Sequence, residues 1–140
     1  MGNRFTGMGN LGDNPTLKQV IVEGEPRKVC EMRVYFDEYR PDGGGGFEQA
    51  GGFWLAVNVW RASLAENCSQ HLRKGARVSV TGRLDMQTWT DKEGEERNEL
   101  RLIAEDVTLA LGRIESVRMR PKRGADDAAR EAEEGLEQAA

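Results

Sequence analysis

A period of two governs this chain and restricts it to strands before anything else is considered. In residues 30–37, Cys30, Met32, Val34 and Phe36 fall on one side and Glu31, Arg33, Tyr35 and Asp37 on the other. In residues 53–60 the same alternation sets Phe53, Leu55, Val57 and Val59 against Trp54, Ala56, Asn58 and Trp60. Successive side chains of a strand point to opposite faces, so each stretch reads as a strand with one face on a core. Residues 77–86 repeat the pattern, with Val78, Val80, Leu84 and Met86 inward, Arg77, Ser79, Thr81 and Arg83 outward, and Gly82 as the expected bend. Residues 97–104 do so again, Leu100, Leu102 and Ala104 opposing Arg97, Glu99 and Arg101.

The remaining segments order these strands. "NRFTGMGNLGDNP" reads as a first strand broken by Gly9, Gly12 and the turn formers Asp13, Asn14 and Pro15. "TLKQVIVEGEPRKVCEMRVYFDEY" reads as a hairpin turning at Gly24-Glu25-Pro26, and "RPDGGGGFEQAGG" as a mobile surface loop. The four glycines of that loop are not a phosphate cradle, because no Lys-Ser/Thr follows them. "ASLAENCSQHLRKG" is the one helical segment: Leu64, Cys68 and Leu72 recur every four residues, Ser63 and Glu66 fit a capping box, and Gly75 fits the stop. The tip near Gly94 then turns the last strand pair. The fold expected is all-β, a five-stranded OB-fold barrel with one short helix between its third and fourth strands and a long hairpin joining strands 4 and 5. Residues 1–115 form the domain, and residues 116–140 a polar tail, disordered or weakly helical, in which 5 basic and 6 acidic residues follow position 117 without an aromatic.

Composition excludes several functions. The net charge of −4 rules out a general polycation, so an anionic partner must be met by a local stripe. Cys30 and Cys68 have neither CxxC spacing nor a histidine cluster, so they are read as small buried apolar groups and not as zinc ligands or a disulfide. His71 is the only histidine, no nucleophile and base can be paired, and the acidic tip at residues 91–99 reads as a solvated loop; catalysis, metal and cofactor are all left without residues. No run approaches the roughly 20 apolar residues of a membrane span, and "MGNRFTGMGN" lacks a signal's apolar segment, so a cytosolic chain is expected.

The tryptophans carry the functional signal. Trp54 and Trp60, six strand residues apart, would stand roughly 20 Å from each other on the non-core face, and Trp89 lies at the base of the long hairpin. Exposed indoles can stack unpaired bases at about 1–3 kcal/mol each without regard to sequence, and Arg61, Arg83, Arg97 and Arg101 lie on or beside the same surface. The same indoles could instead be covered by the tail or by another subunit. From the residues alone these alternatives stand level.

"GNLGDNPTLK", "FWLAVNVWR", "AENCSQHLRKGARVSVTGRL" and "TWTDKEGEERNELRLIAEDV" resemble the bacterial single-stranded DNA-binding protein family, from about Asn3 to about Gly112. The resemblance implies an OB-fold assembled as a homotetramer that coats single-stranded DNA in replication, repair and recombination, cytoplasmic and associated with the nucleoid. It implies base stackers at Trp54, Trp60 and Trp89, with Tyr39 near a further aromatic position, and phosphate contacts at Arg4 and Lys74. Where many relatives are basic before the last tryptophan, this chain has Asp85, Gln87 and Thr88, which would pass the phosphates to Arg83, Lys92 and Arg97. Family members typically close on an acidic tip with a Pro-Phe pair that docks partner proteins, whereas this sequence reads "EEGLEQAA". That departure suggests a specialised copy of plasmid or conjugative origin. It also keeps a second reading open, an adaptor of the same fold for a replication or conjugation protein.

Overall fold

The computed structural model describes residues 2–121. The elements are β1 (Asn3–Leu11), β2 (Thr16–Val22), β3 (Glu25–Pro41), β4 (Phe47–Val59), α1 (Ala62–His71), β5 (Arg77–Thr90) and β6 (Glu96–Leu109). The chain divides into two compact units, Met1–Ala110 and Leu111–Ala140. Described residues of the second unit, 111–121, carry a turn and a bend but no helix or strand, and are exposed. The expected tail structure otherwise falls on residues 122–140, outside the described residues.

Five strands close into a ring. The sheet runs β1-β5-β6-β4-β3-β2, and β1 also pairs with β3. Going round from β1 through β5, β6, β4 and β3 therefore returns to β1, and β2 lies beyond β1 along the same edge of β3. β1 and β2 follow one another along that edge of β3, separated by residues 12–15, where the glycine and turn formers predict a break. In chain order α1 falls between the third and fourth ring strands, β4 and β5. This is the OB-fold arrangement expected from the pattern.

Closure brings backbones too close for side chains at two positions. Gly9 pairs with Phe36 of β3 and with Val78 of β5, and a Cβ on it would lie 2.1 Å from the carbonyl oxygen of Tyr35. Gly82 sits at a register shift opposite Ala104, and a Cβ there would lie 2.1 Å from the carbonyl oxygen of Ile103. Gly9 thus does not break β1; it lets β1 serve two neighbours. Gly82 is the bend that the alternation implied.

The inward faces fill the ring. Cys30, Met32, Val34 and Phe36 meet Leu55, Val57 and Val59, Val78 and Val80, and Leu102 and Ala104, with Ala65, Cys68 and Leu72 added by α1 and the turn after it. Each fully buried Val or Leu contributes roughly 1.5–3 kcal/mol. Beyond Phe36 and Phe53 on one hairpin, and Leu84 and Leu102 on the other, the strands outrun the core. Met86 and Leu100, expected inward, are exposed for this reason. Phe5, Phe36 and Phe53 mark the edge, with ring centroids 5.0–5.9 Å apart.

Three local expectations are corrected. The first hairpin turns at Glu23-Gly24, both at positive φ (53° and 83°), while Glu25 and Pro26 already pair in β3; this two-residue geometry matches the twist of the strands. The glycine segment is not one long loop: β3 and β4 continue to Pro41 and Phe47, and only residues 42–46 turn, held by Asp42 Oδ1 accepting from the N–H groups of Gly44 and Gly46. The helix has no capping box. Arg61 is its N-cap without a side-chain cap, Ser63 lies inside the helix, Glu66 pairs with Lys28, and the C-cap is Leu72, ahead of Gly75.

Two outcomes follow. Left-handed backbone at a non-glycine costs roughly 1–2 kcal/mol, less for Asn, so Glu23→Asn should stabilise the protein by about 0.5–1 kcal/mol in denaturant titrations. Burial pushes the thiols of Cys30 and Cys68 up from 9.0 to about 12 and about 11. The folded state therefore holds these protons more tightly: the contribution is whole below about pH 9 and is lost as pH rises from there through 11 to 12. Both thiols should resist Ellman's reagent at pH 8 and react together once the protein is unfolded.

Candidate nucleic-acid interface

The strand pairing assembles the outward residues into rows. Tyr35 lies opposite Trp54. Arg33, Ala56, Arg101 and Asp85 follow one another across β3, β4, β6 and β5. The next row is Glu31, Asn58, Ile103, Arg83 and Arg4, ending on β1. Trp89, opposite Arg97, continues the outward side of β5 onto the projecting hairpin. Trp54, Trp89, Arg4, Arg83, Arg97 and Arg101, far apart in sequence, therefore share one face.

The tryptophans on this face differ. Trp54 and Trp89 are 48% and 44% exposed, so each keeps an open indole surface. Trp60, just past β4, is only half-buried and shares a cleft with Val22, Arg27, Arg83, Asp85 and Ile103. Trp54 is held from several sides. Tyr35 approaches it at 5.1 Å between centroids, the Arg33 guanidinium stands 4.7 Å from its ring centre, and the ring lies over Gly12, where a Cβ would come within 2.5 Å of it. The Arg27 guanidinium stands 5.4 Å from the Trp60 ring. Such contacts add roughly 0.5–1 kcal/mol at exposed sites and fix the plane of the ring.

Most arginines of the barrel are already matched to carboxylates. Arg4 forms a two-pronged pair with Glu105 at 2.7 and 2.9 Å, Arg97 reaches Asp91 at 2.7 Å, and Arg101 reaches Glu99 at 3.2 Å. Arg83 lies 3.8 Å from Asp85, Arg61 4.0 Å from Asp106, Arg40 3.5 Å from Glu48, and Arg77 3.0 Å from Asp37. The hydrogen bond and charge of Glu105 raise the pKa of Arg4, and those of Arg4 lower that of Glu105. The Arg97 hydrogen bond likewise holds Asp91 below the usual carboxylate range. Exposed pairs of this kind add little to stability; their effect is to neutralise the face. Among the described residues Arg27 and Arg33 have no such carboxylate and lie on tryptophans instead.

The other expected site residues sit at the margins. Arg61 begins α1, Lys74 occupies the turn after it with its backbone N–H donating to Asn14 Oδ1 at 2.8 Å, Lys92 stands at the tip of the β5–β6 hairpin, and Tyr39 is exposed where the β3–β4 register shifts. Arg27, Arg33 and Tyr35 were not anticipated as site residues. The alternation had put Arg33 and Tyr35 on the outward face, but only the register shows Trp54 as their neighbour. Among the described residues no group of three or more His, Cys, Asp or Glu side chains could hold a metal ion, and no helix is long and apolar enough to cross a membrane.

Comparison with known proteins gives the family. The model of the single-strand binding protein family matches residues 2–110. The "Single-stranded DNA-binding protein 1" of Clostridium acetobutylicum is 28% identical over 115 residues, 82% of this chain and 99% of that one. The "Single-stranded DNA-binding protein" of Corynebacterium glutamicum is 42% identical over 65 residues, 46% of this chain but only 28% of that protein. A small single-stranded DNA-binding protein from Streptomyces coelicolor superposes with a TM-score of 0.66 at 21% identity, covering 81% of this chain and 99% of that one. A Plasmodium falciparum SSB solved in complex with ssDNA gives 0.62 at 22%, covering 77% and 94%. The two structural likenesses establish the shared fold, and the family match spans the whole barrel: the chain belongs to the single-strand binding protein family, a family of DNA-binding proteins and not of enzymes.

Proposed function

We propose that the protein binds single-stranded DNA without regard to sequence, the strand lying across the outward rows with bases flat on Trp54, Trp89 and the accessible part of Trp60. The observation that carries this is the placing of two open indoles on one face with arginines between them. Stacking supplies affinity that every base can draw on, because each has a π-face. Phosphates meet Arg33 and Arg27 beside the stacked rings, and Arg4, Arg83, Arg97 and Arg101 as their carboxylates release them; Arg61, Lys74, Lys92 and Tyr39 extend the path at its ends. The names of the relatives support the same ligand. By the family resemblance the protein works as a homo-oligomer, a tetramer, protecting single strands in replication, repair, recombination or conjugative transfer, in the cytoplasm and with the nucleoid.

Titration with oligothymidines of increasing length, followed by tryptophan emission and light scattering, tests binding, site length and assembly together. Quenching that saturates is expected; unchanged emission would favour the adaptor reading, in which this face is covered by a protein partner. Trp54→Ala and Trp89→Ala should each weaken binding by about 1–3 kcal/mol, with a smaller loss at Trp60. Each phosphate neutralised on a single strand adds about 0.7 to the slope of log affinity against log salt. Glu105→Gln, which frees Arg4, should therefore steepen that slope by about 0.7 and tighten binding at low salt. An unchanged slope would take Arg4 off the phosphate path.

A further inference from the structure

Asn58 stands between Trp54 and Trp60 on the outward side of β4, and it is the one buried polar residue found among the described residues, only 6% exposed. Its neighbours across the sheet are Glu31 and Ile103. None of the side-chain hydrogen bonds found among the described residues involves its amide, those nearest in sequence being made by Glu48 and Glu66. A buried amide without a partner costs roughly 1–3 kcal/mol, and such a group calls for an explanation. Packing does not give one, since an apolar side chain would fill the same place on a strand.

The surroundings point to a ligand. The lining of a cavity of about 290 Å³ includes Asn58, Asn14, Arg33, Arg101 and the carboxylates of Asp13, Glu31 and Glu99. One water needs only roughly 10–15 Å³ of such volume, so the space admits a much larger group. The cleft against Trp54 adjoins it and shares Arg33, Ala56 and Glu99. Two cations, of which Arg101 is already paired with Glu99, and three carboxylates therefore border a polar recess that opens beside a stacking ring.

We propose that this recess takes the hydrogen-bonding edge of one nucleobase of a bound strand, with the Asn58 amide as its partner and Arg33 and Arg101 beside the attached phosphate. The inference rests on the reading of this face as a single-strand surface. An amide offers two N–H donors on Nδ2 and an acceptor on Oδ1. Every unpaired base has a donor and an acceptor side by side on an edge that splaying exposes, and rotation about the terminal torsion of Asn lets the amide meet them in either order. The contact thus adds hydrogen bonding without selecting a sequence, which a charged side chain at this position would not do.

The test compares a short oligothymidine with the same oligomer built from difluorotoluene, a thymine isostere that stacks but forms no base-edge hydrogen bonds. Wild-type protein is expected to favour thymine by about fivefold or more, and Asn58→Val to bring that ratio close to one. A wild-type ratio of one, or an equal ratio in both proteins, would overturn the proposal and leave the amide to water alone. If Asn58→Val does not fold, as its melting curve would show, Asn58→Ala takes its place, and the wild-type ratio still decides whether any edge is bonded. Failure to bind oligothymidine at all would instead count against the single-strand reading itself.

Discussion

Ring closure is the constraint on which everything else depends. β1 can pair with β3 and β5 at once only because Gly9 brings no side chain into the carbonyl of Tyr35, and β5 can turn against β6 only because Gly82 yields to Ile103. With those approaches made, β4 and β6 meet as parallel neighbours and the circuit is complete. Inside and outside are then fixed for every residue of five strands. The inward residues become one core, and the outward ones become a continuous surface that no single strand possesses.

The parts of this structure that depend on local pattern could be read from the sequence. Alternation identified Val34, Val57, Val59, Val80 and Leu102 as core, and the four-residue recurrence of Leu64, Cys68 and Leu72 placed the helix in the circuit. The failures have a common cause in backbone details that residue type only weakly encodes. Glu23 takes a left-handed conformation that its side chain does not announce, and Gly24-Glu25-Pro26 looked the better turn. The glycines at 43–46 suggested looseness, yet one carboxylate, Asp42, gathers them into a tight turn, and Asp91 repeats that role at the other hairpin by accepting from Glu93 and Glu95.

The candidate site was legible as a list but not as an arrangement. Trp54, Trp60 and Trp89 were evident as outward indoles. That Arg33 lies over Trp54 and Arg27 over Trp60 follows from register and from contacts between separate strands, which no local spacing reveals. The same holds for Arg4 and Glu105, about a hundred residues apart in sequence and joined only because β1 and β6 flank β5. Position 58 seemed an ordinary polar interruption until the cavity beneath it appeared.

The coupling of arginines to carboxylates on the outward face has a kinetic meaning. On the proposed reading, a phosphate reaching Arg4, Arg83, Arg97 or Arg101 would take the place of an anion that the protein already carries, and that anion would stay within reach to reclaim the cation. Each contact is then a swap between two similar states, and contacts can be surrendered singly. On that reading, a polymer held by many such reversible swaps, with flat rings supplying the cohesion, would creep along the surface without ever having to let go.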